Sequence, residues 1–222
     1  EPEVESRLVL RGPEGDWTLC HGPFEEPDFE ALPARDWTLL VQDVDKYVSN
    51  TASLIEAFDV VPDWRIDDIM ISYAVDKGSV GPHTDEYDVF LIQASGKRLW
   101  RIDTDPEADR SLVANLDMKI LQHFEAEQEL LLEPGDMLYL PPGVAHWGIA
   151  RGECITWSVG FRAPSAQNVV YPLNQVGRGL IGDRIAIQVV VRFFVLAHPR
   201  VAAKTARKLA ARRGADDSIV AR

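Results

Sequence analysis

The chain has 222 residues, 46% of them hydrophobic and 26% charged, with a formal net charge of −12. That length builds one good core, and the balance excludes a disordered or fibrous chain. Two cysteines, Cys20 and Cys154, exclude a disulfide framework or a zinc-type spacing, so a reducing cytoplasm is the expected setting. The most apolar run, 185–197, is too short to span a bilayer and carries Gln188 and Arg192, so no membrane partner is expected. No signal-peptide pattern opens the chain.

Charge is unevenly divided. Residues 1–164 hold 13 Lys and Arg against 32 Asp and Glu, whereas residues 165–222 hold 10 against 3. An acidic body repels phosphates, so direct binding of nucleic acid is not expected of it, and a basic peptide or protein suits it better. A solvated acidic surface explains the same numbers.

In chain order, residues 1–60 read as a lead-in with strands at 7–11, 17–21 and 37–43 and a helix over 51–58. From Arg65 the pattern is β: apolar or alternating runs at 66–75, 87–93, 98–102, 130–132, 137–140 and 155–161. Turn chemistry separates them at Lys77-Gly78, Ser95-Gly96, Pro134-Gly135 and Pro141-Pro142-Gly143. Many short strands without long helices between them predict a mainly β sandwich or barrel over 1–164. Beyond it, 165–222 is a basic tail with a helix predicted at 202–213.

The densest chemistry is Gly81-Pro82-His83-Thr84-Asp85. In a strand, residues i and i+2 face the same side, so His83 and Asp85 project together. An imidazole and a carboxylate on one face are two ligands of a 2-His-1-carboxylate iron site. His-x-Asp alone is a weak signal. It gains weight from Glu133-Pro134-Gly135-Asp136, a strand, and Pro141-Pro142-Gly143-Val144-Ala145-His146, where tight turns set the direction of a second histidine.

These motifs, with Arg65-Ile66-Asp67-Asp68-Ile69-Met70-Ile71-Ser72 ahead of them and Val159-Gly160-Phe161-Arg162 behind, resemble the bacterial ribosomal oxygenases, a branch of the JmjC/cupin-fold enzymes. The resemblance implies a double-stranded β-helix (the cupin/JmjC jelly roll) with a C-terminal helical appendage. It implies Fe(II) held by His83, Asp85 and His146, with 2-oxoglutarate and O2 as cosubstrates and a basic ribosomal protein hydroxylated on arginine. It places Arg98 on the distal carboxylate of 2-oxoglutarate, with Lys97 the next cation along, and Ser72 and Thr156 near the cosubstrate. Thr156 stands where the arginine-hydroxylating relatives carry Asn. The family is homodimeric through a helical region that residues 165–222 do not match.

Strand phase adds a substrate pocket: if Ser72 faces the cavity, so do Met70 and Asp68, and if His83 and Asp85 do, so does Tyr87. A carboxylate and an aromatic face together fit a guanidinium. Three other readings stay open at this point. One is a histidyl hydroxylase or another JmjC-type protein oxygenase, one a metal-holding cupin without oxygenase activity, and one an RNA-contacting module acting through the basic tail.

Overall fold

The structure is a computed structural model that describes residues 4–48 and 65–162, together with Thr51, Leu54, Ile55 and Phe58. The basic tail and its predicted helix lie outside the described residues. Strands β1 (Ser6–Arg11) and β2 (Trp17–His21) form a hairpin, and β1 pairs on its other side with β3 (Trp37–Val41). Two short helices, α1 (Glu26–Glu30) and α2 (Val44–Tyr47), flank β3, and Thr51, Leu54 and Ile55 are helical as expected. Then come β4 (Ile66–Ala74), the two-residue β5 (His83–Thr84), β6 (Asp88–Asp103), β7 (Gln128–Leu132), β8 (Met137–Leu140) and β9 (Ala145–Phe161). Every pairing is antiparallel, in the order β2-β1-β3-β4-β9-β6-β7, with β5 on β9 and β8 on β6. The chain is mainly β, as its alternating runs predict.

One expectation is corrected. The runs 87–93 and 98–102 belong to a single strand, β6, and β9 likewise extends back from 155 to Ala145. Ser95-Gly96 marks a bulge rather than a hairpin turn: the β6–β9 register shifts between Gln93 and Ser95 and again between Ser95 and Lys97. Gly96 sits at φ 63, and a Cβ there would collide with the Glu153 carbonyl oxygen. A bulge bends a strand and lets it change sheets. The near half of β6 therefore pairs with β8 and the far end of β9, while its other half pairs with β7 and the start of β9.

The two halves face each other. Val89, Leu91, Leu138 and Leu140 from one side pack with Trp100, Ile102 and Leu132 from the other. The outer surface of the first half is covered as well, because Ile69, Phe90, Ile92, Val159 and Phe161 pack under Leu54 and Phe58. Burial on both faces is why β6 begins as a continuous apolar run instead of alternating. At the bend, Ala74, Ala150 and Cys154 close the barrel. One inward position further out, Ser72 and Thr156 are register partners on one wall, and Trp100 and Gly148 on the other.

The long segment 104–127, in which the sequence shows no strand, is held by side chains. Arg110 pairs with the buried Asp103 at 2.5 Å, and the Arg101 guanidinium lies against both Trp147 and Phe124, whose rings pack edge to face. Its Leu121 N–H donates to the carbonyl of Pro82, and Ile120 packs on Gly81, so this segment braces the His83 motif from outside.

Candidate metal and cosubstrate site

Three side chains converge inside the barrel: His83 on β5, Asp85 just past it, and His146 at the start of β9. His83 and His146 are register partners, with ring centroids 4.2 Å apart. His83 Nε2 lies 3.9 Å from one Asp85 oxygen and His146 Nε2 3.6 Å from the other. The ligand atoms of all three fall within 4.8 Å of one another, the one such group of three among the described residues.

Each imidazole also has its second nitrogen engaged. Nδ1 of His83 donates to the Gly81 carbonyl and Nδ1 of His146 to that of Val144, both at 3.0 Å. A carbonyl only accepts, so the proton sits on Nδ1 and Nε2 presents a lone pair to the centre. Burial, and next the neighbouring His83, hold the His146 pKa well below the ordinary histidine value, so its ring is neutral. Burial pushes the Asp85 carboxyl above its usual range, against the pull of His83, Lys119 and a hydrogen bond from Tyr87. Two imidazoles that present Nε2 and a desolvated carboxylate form a donor set that a divalent cation completes, and three ligands on one side leave coordination positions open.

Arg98 supplies the second feature. It is 4% exposed, faces inward opposite Ala150, and carries its guanidinium 5.8 Å over the Trp100 ring. Its Nε and Nη2 have no hydrogen-bond partner, and it forms no ion pair among the described residues. A buried unpaired guanidinium is costly, and an anion entering the barrel satisfies it. Lys97 does not share the pocket: it is about half exposed and pairs with Glu133 at 2.5 Å.

Ser72 and Thr156 are buried partners on β4 and β9. The Ser72 hydroxyl donates to the Thr156 carbonyl at 3.3 Å, and the Thr156 hydroxyl donates to Gln93 Oε1 at 3.1 Å. Gln93, fully buried and tied through its amide to the carbonyls of Ser95, Gly96 and Ile155, was not legible as part of the site. Gly148 was not either: a Cβ there would stand 2.7 Å from the Trp100 ring and 3.1 Å from Arg98 Cδ, so glycine makes the space both side chains occupy. A glycine inside an apolar strand is the available signal.

Asp68 and Tyr87 come together at the open end. A Cβ on Gly160 would be 3.6 Å from Asp68 Oδ1 and 3.6 Å from the Tyr87 ring, so both border the same glycine. The phase count to Asp68 crosses a register irregularity between Ile66 and Ile69, and its carboxylate already accepts from Gln42 Nε2 and the Asp43 N–H. Burial raises the Asp68 pKa, with Asp43, Asp67 and Asp45 adding to it. Although 40% of Tyr87 is exposed, its phenol is held above the usual range by burial first, then by Asp85 and Asp68.

A bent double-stranded β-helix with two histidines and a carboxylate inside defines a cupin-type metal-site protein. The JmjC domain profile matches residues 53–169, and the chain belongs to that family. It is 45% identical over 170 residues to the ribosomal protein uL16 3-hydroxylase of Escherichia coli K12, across 77% of this chain and 44% of the relative. The chain thus spans less than half of that relative's length. The X-ray structure of E. coli YcfD is similar at a TM-score of 0.70 and 37% identity, covering 92% of this chain and 57% of that one. The structure of YcfD, a ribosomal oxygenase, in complex with cobalt and 2-oxoglutarate is similar at a TM-score of 0.65 and 37% identity, covering 92% and 55%.

Proposed function

We propose that this chain is the catalytic barrel of an Fe(II)- and 2-oxoglutarate-dependent oxygenase that hydroxylates an arginine side chain of a ribosomal protein. The observation that carries the reading is the pairing, inside one barrel, of a His–Asp–His donor set with a buried arginine whose Nε and Nη2 have no hydrogen-bond partner among the described residues. His83, Asp85 and His146 hold the metal through Nε2, a carboxylate oxygen and Nε2. When bound, the iron with 2-oxoglutarate supplies the oxidation, in which O2 delivers one atom to the substrate carbon and one to succinate as carbon dioxide is lost.

The rest is the work of this chain's own side chains. Arg98 fixes the distal carboxylate, and its guanidinium fork sets the length and direction of the bound acid. Ser72 and Thr156 line the other wall with their hydroxyl oxygens. Trp100 and the methyl of Ala150 line the cavity and keep water from the cosubstrate's chain. At the mouth, Asp68 pairs with the substrate guanidinium while Tyr87 stacks on it or accepts beside it. Lysine matches the charge but not the planar stacking, and a neutral histidine leaves Asp68 without a counter-ion. The −19 balance of residues 1–164 favours approach of a basic protein. A ribosomal-protein target places the enzyme with the ribosomes, in the cytoplasm. The test is release of succinate from 2-oxoglutarate by the freshly Fe(II)-loaded protein. No succinate, with or without ribosomal proteins, removes the oxygenase reading and leaves a metal-binding cupin.

A further inference from the structure

Two residues of the lead-in reach the proposed arginine pocket, although both lie outside the stretch 53–169 that the JmjC profile matches: Arg7 on β1 and Gln42 just past β3. Register explains how. Arg7 is paired with Leu40, Leu40 with Ser72 and Ser72 with Thr156, so this row crosses the sheet on the face that lines the cavity. Gln42 stands two residues beyond Leu40 and shares that face. The β3–β4 ladder stops at Val41 and Ile71, and past it Gln42 and Asp43 meet β4 through Asp68.

Those bonds have a direction. Arg7 Nη2 donates to Gln42 Oε1 at 2.7 Å. A guanidinium only donates, so the amide oxygen must face Arg7 and the amide nitrogen is left for an acceptor. That nitrogen donates to Asp68 Oδ2 at 3.1 Å, and the Asp43 N–H donates to the same oxygen at 3.2 Å. The other carboxylate oxygen, Oδ1, is the one that borders Gly160 beside the Tyr87 ring. Asp68 is thus gripped by one oxygen and presents the other to the pocket.

The choice of an amide carries information about charge. Arg7 is paired with Glu5, Lys46 with Asp43 and Arg162 with Asp67, and no ion pair to Asp68 forms among the described residues. A lysine or arginine in place of Gln42 would pair with Asp68 and occupy the position of the substrate's cation. Glutamine donates a hydrogen bond and leaves the negative charge to the incoming guanidinium.

We propose that Gln42 is a positioning residue for substrate selection: locked by Arg7, its amide holds Asp68 through Oδ2 and keeps Oδ1 turned toward the substrate guanidinium. This rests on the arginine reading above and deepens it with a residue from the lead-in strands. Gln42 acts through Asp68 and not on the cosubstrate, so it sets the Michaelis constant for the protein substrate alone.

The test compares Michaelis constants for a mixture of ribosomal proteins, read as arginine hydroxylation by peptide mass spectrometry, and for 2-oxoglutarate. Gln42→Leu should raise the first roughly tenfold, the size of one hydrogen bond to a charged group, and leave the second at its parental value. In an Asp68→Asn background the same change should add less than about twofold, because the charge that Gln42 positions has gone. An unchanged constant for the ribosomal proteins in Gln42→Leu overturns the proposal. So does an equal rise for both substrates, which makes Gln42 structural, and so does the full loss repeated on Asp68→Asn. If Gln42→Leu does not fold, Gln42→Met is judged by the same readings. A parent protein that modifies no arginine overturns the underlying reading itself, an outcome visible before any variant is made.

Discussion

His83 and His146 sit directly opposite each other on β5 and β9, and each donates from Nδ1 to the carbonyl two residues before it. The same local device, used twice, turns both Nε2 atoms to one point beside Asp85. Replacing any of the three by alanine should abolish stoichiometric Co(II) binding, read from its visible absorption, with the far-ultraviolet circular dichroism of the barrel retained. An Asp85→Ala protein that still takes up one Co(II) at parental affinity would place the metal elsewhere.

Arg98→Met should separate binding from stability. Its buried Nε and Nη2 have no hydrogen-bond partner among the described residues, so methionine should leave thermal stability equal or raise it. Losing the charge-assisted pair in a buried site costs roughly 2–5 kcal/mol of binding, so 2-oxoglutarate affinity should collapse. Lys97→Ala, on an exposed side chain already paired with Glu133, should change it little. The reverse ranking in a calorimetric titration would move the anchor to Lys97.

Gly81 carries two constraints at once. It sits at φ 80, where side chains are strained, and a Cβ would stand 2.9 Å from Ile120 Cδ1. Its carbonyl also holds the His83 ring. Gly81→Ala should therefore cost about 1–3 kcal/mol of stability and weaken metal binding as well, measured by thermal unfolding and metal titration. Parental values in both would show that the 81–83 turn tolerates adjustment.

The candidate metal ligands were legible because their motifs are local: turn residues and an i, i+2 pair sit side by side in the chain. Arg98 was pointed to by the family resemblance rather than by its own surroundings in the chain, and the structure finds it buried inside. What failed was local chemistry with two meanings. Ser95-Gly96 has the composition of a turn, and only the partner strand β9, whose register shifts on either side of Ser95 and whose Glu153 carbonyl crowds Gly96, makes it a bulge. Gln93, Gly148 and Gly160 gain their meaning from residues many positions away, through register, which a single sequence does not display. Asp68 shows the limit of counting by twos: the irregularity before Ile69 breaks the count, and Gly160 is what leaves Asp68 and Tyr87 together.

Asp68 has two attachments to separate, its bonds to Gln42 and Asp43 and its exposure to the mouth. Asp68→Asn keeps the shape and removes the charge. Hydroxylation of an arginine peptide should fall by an order of magnitude or more, as for a truncated charge pair, while 2-oxoglutarate turnover without substrate stays near parental. Equal losses in the paired assay would make Asp68 a structural residue, and undiminished arginine hydroxylation would take it out of recognition.

The most direct test of the oxygenase reading is to incubate the Fe(II)-loaded chain with 2-oxoglutarate and a mixture of ribosomal proteins, then locate any added oxygen by peptide mass spectrometry. The expected result is one oxygen atom on an arginine of one ribosomal protein, with succinate formed in equal amount and both lost in Asp85→Ala. Oxygen on a histidine would redirect the substrate assignment. Ribosomal proteins left unmodified while succinate accumulates at the same rate with and without them would contradict a ribosomal protein as the substrate.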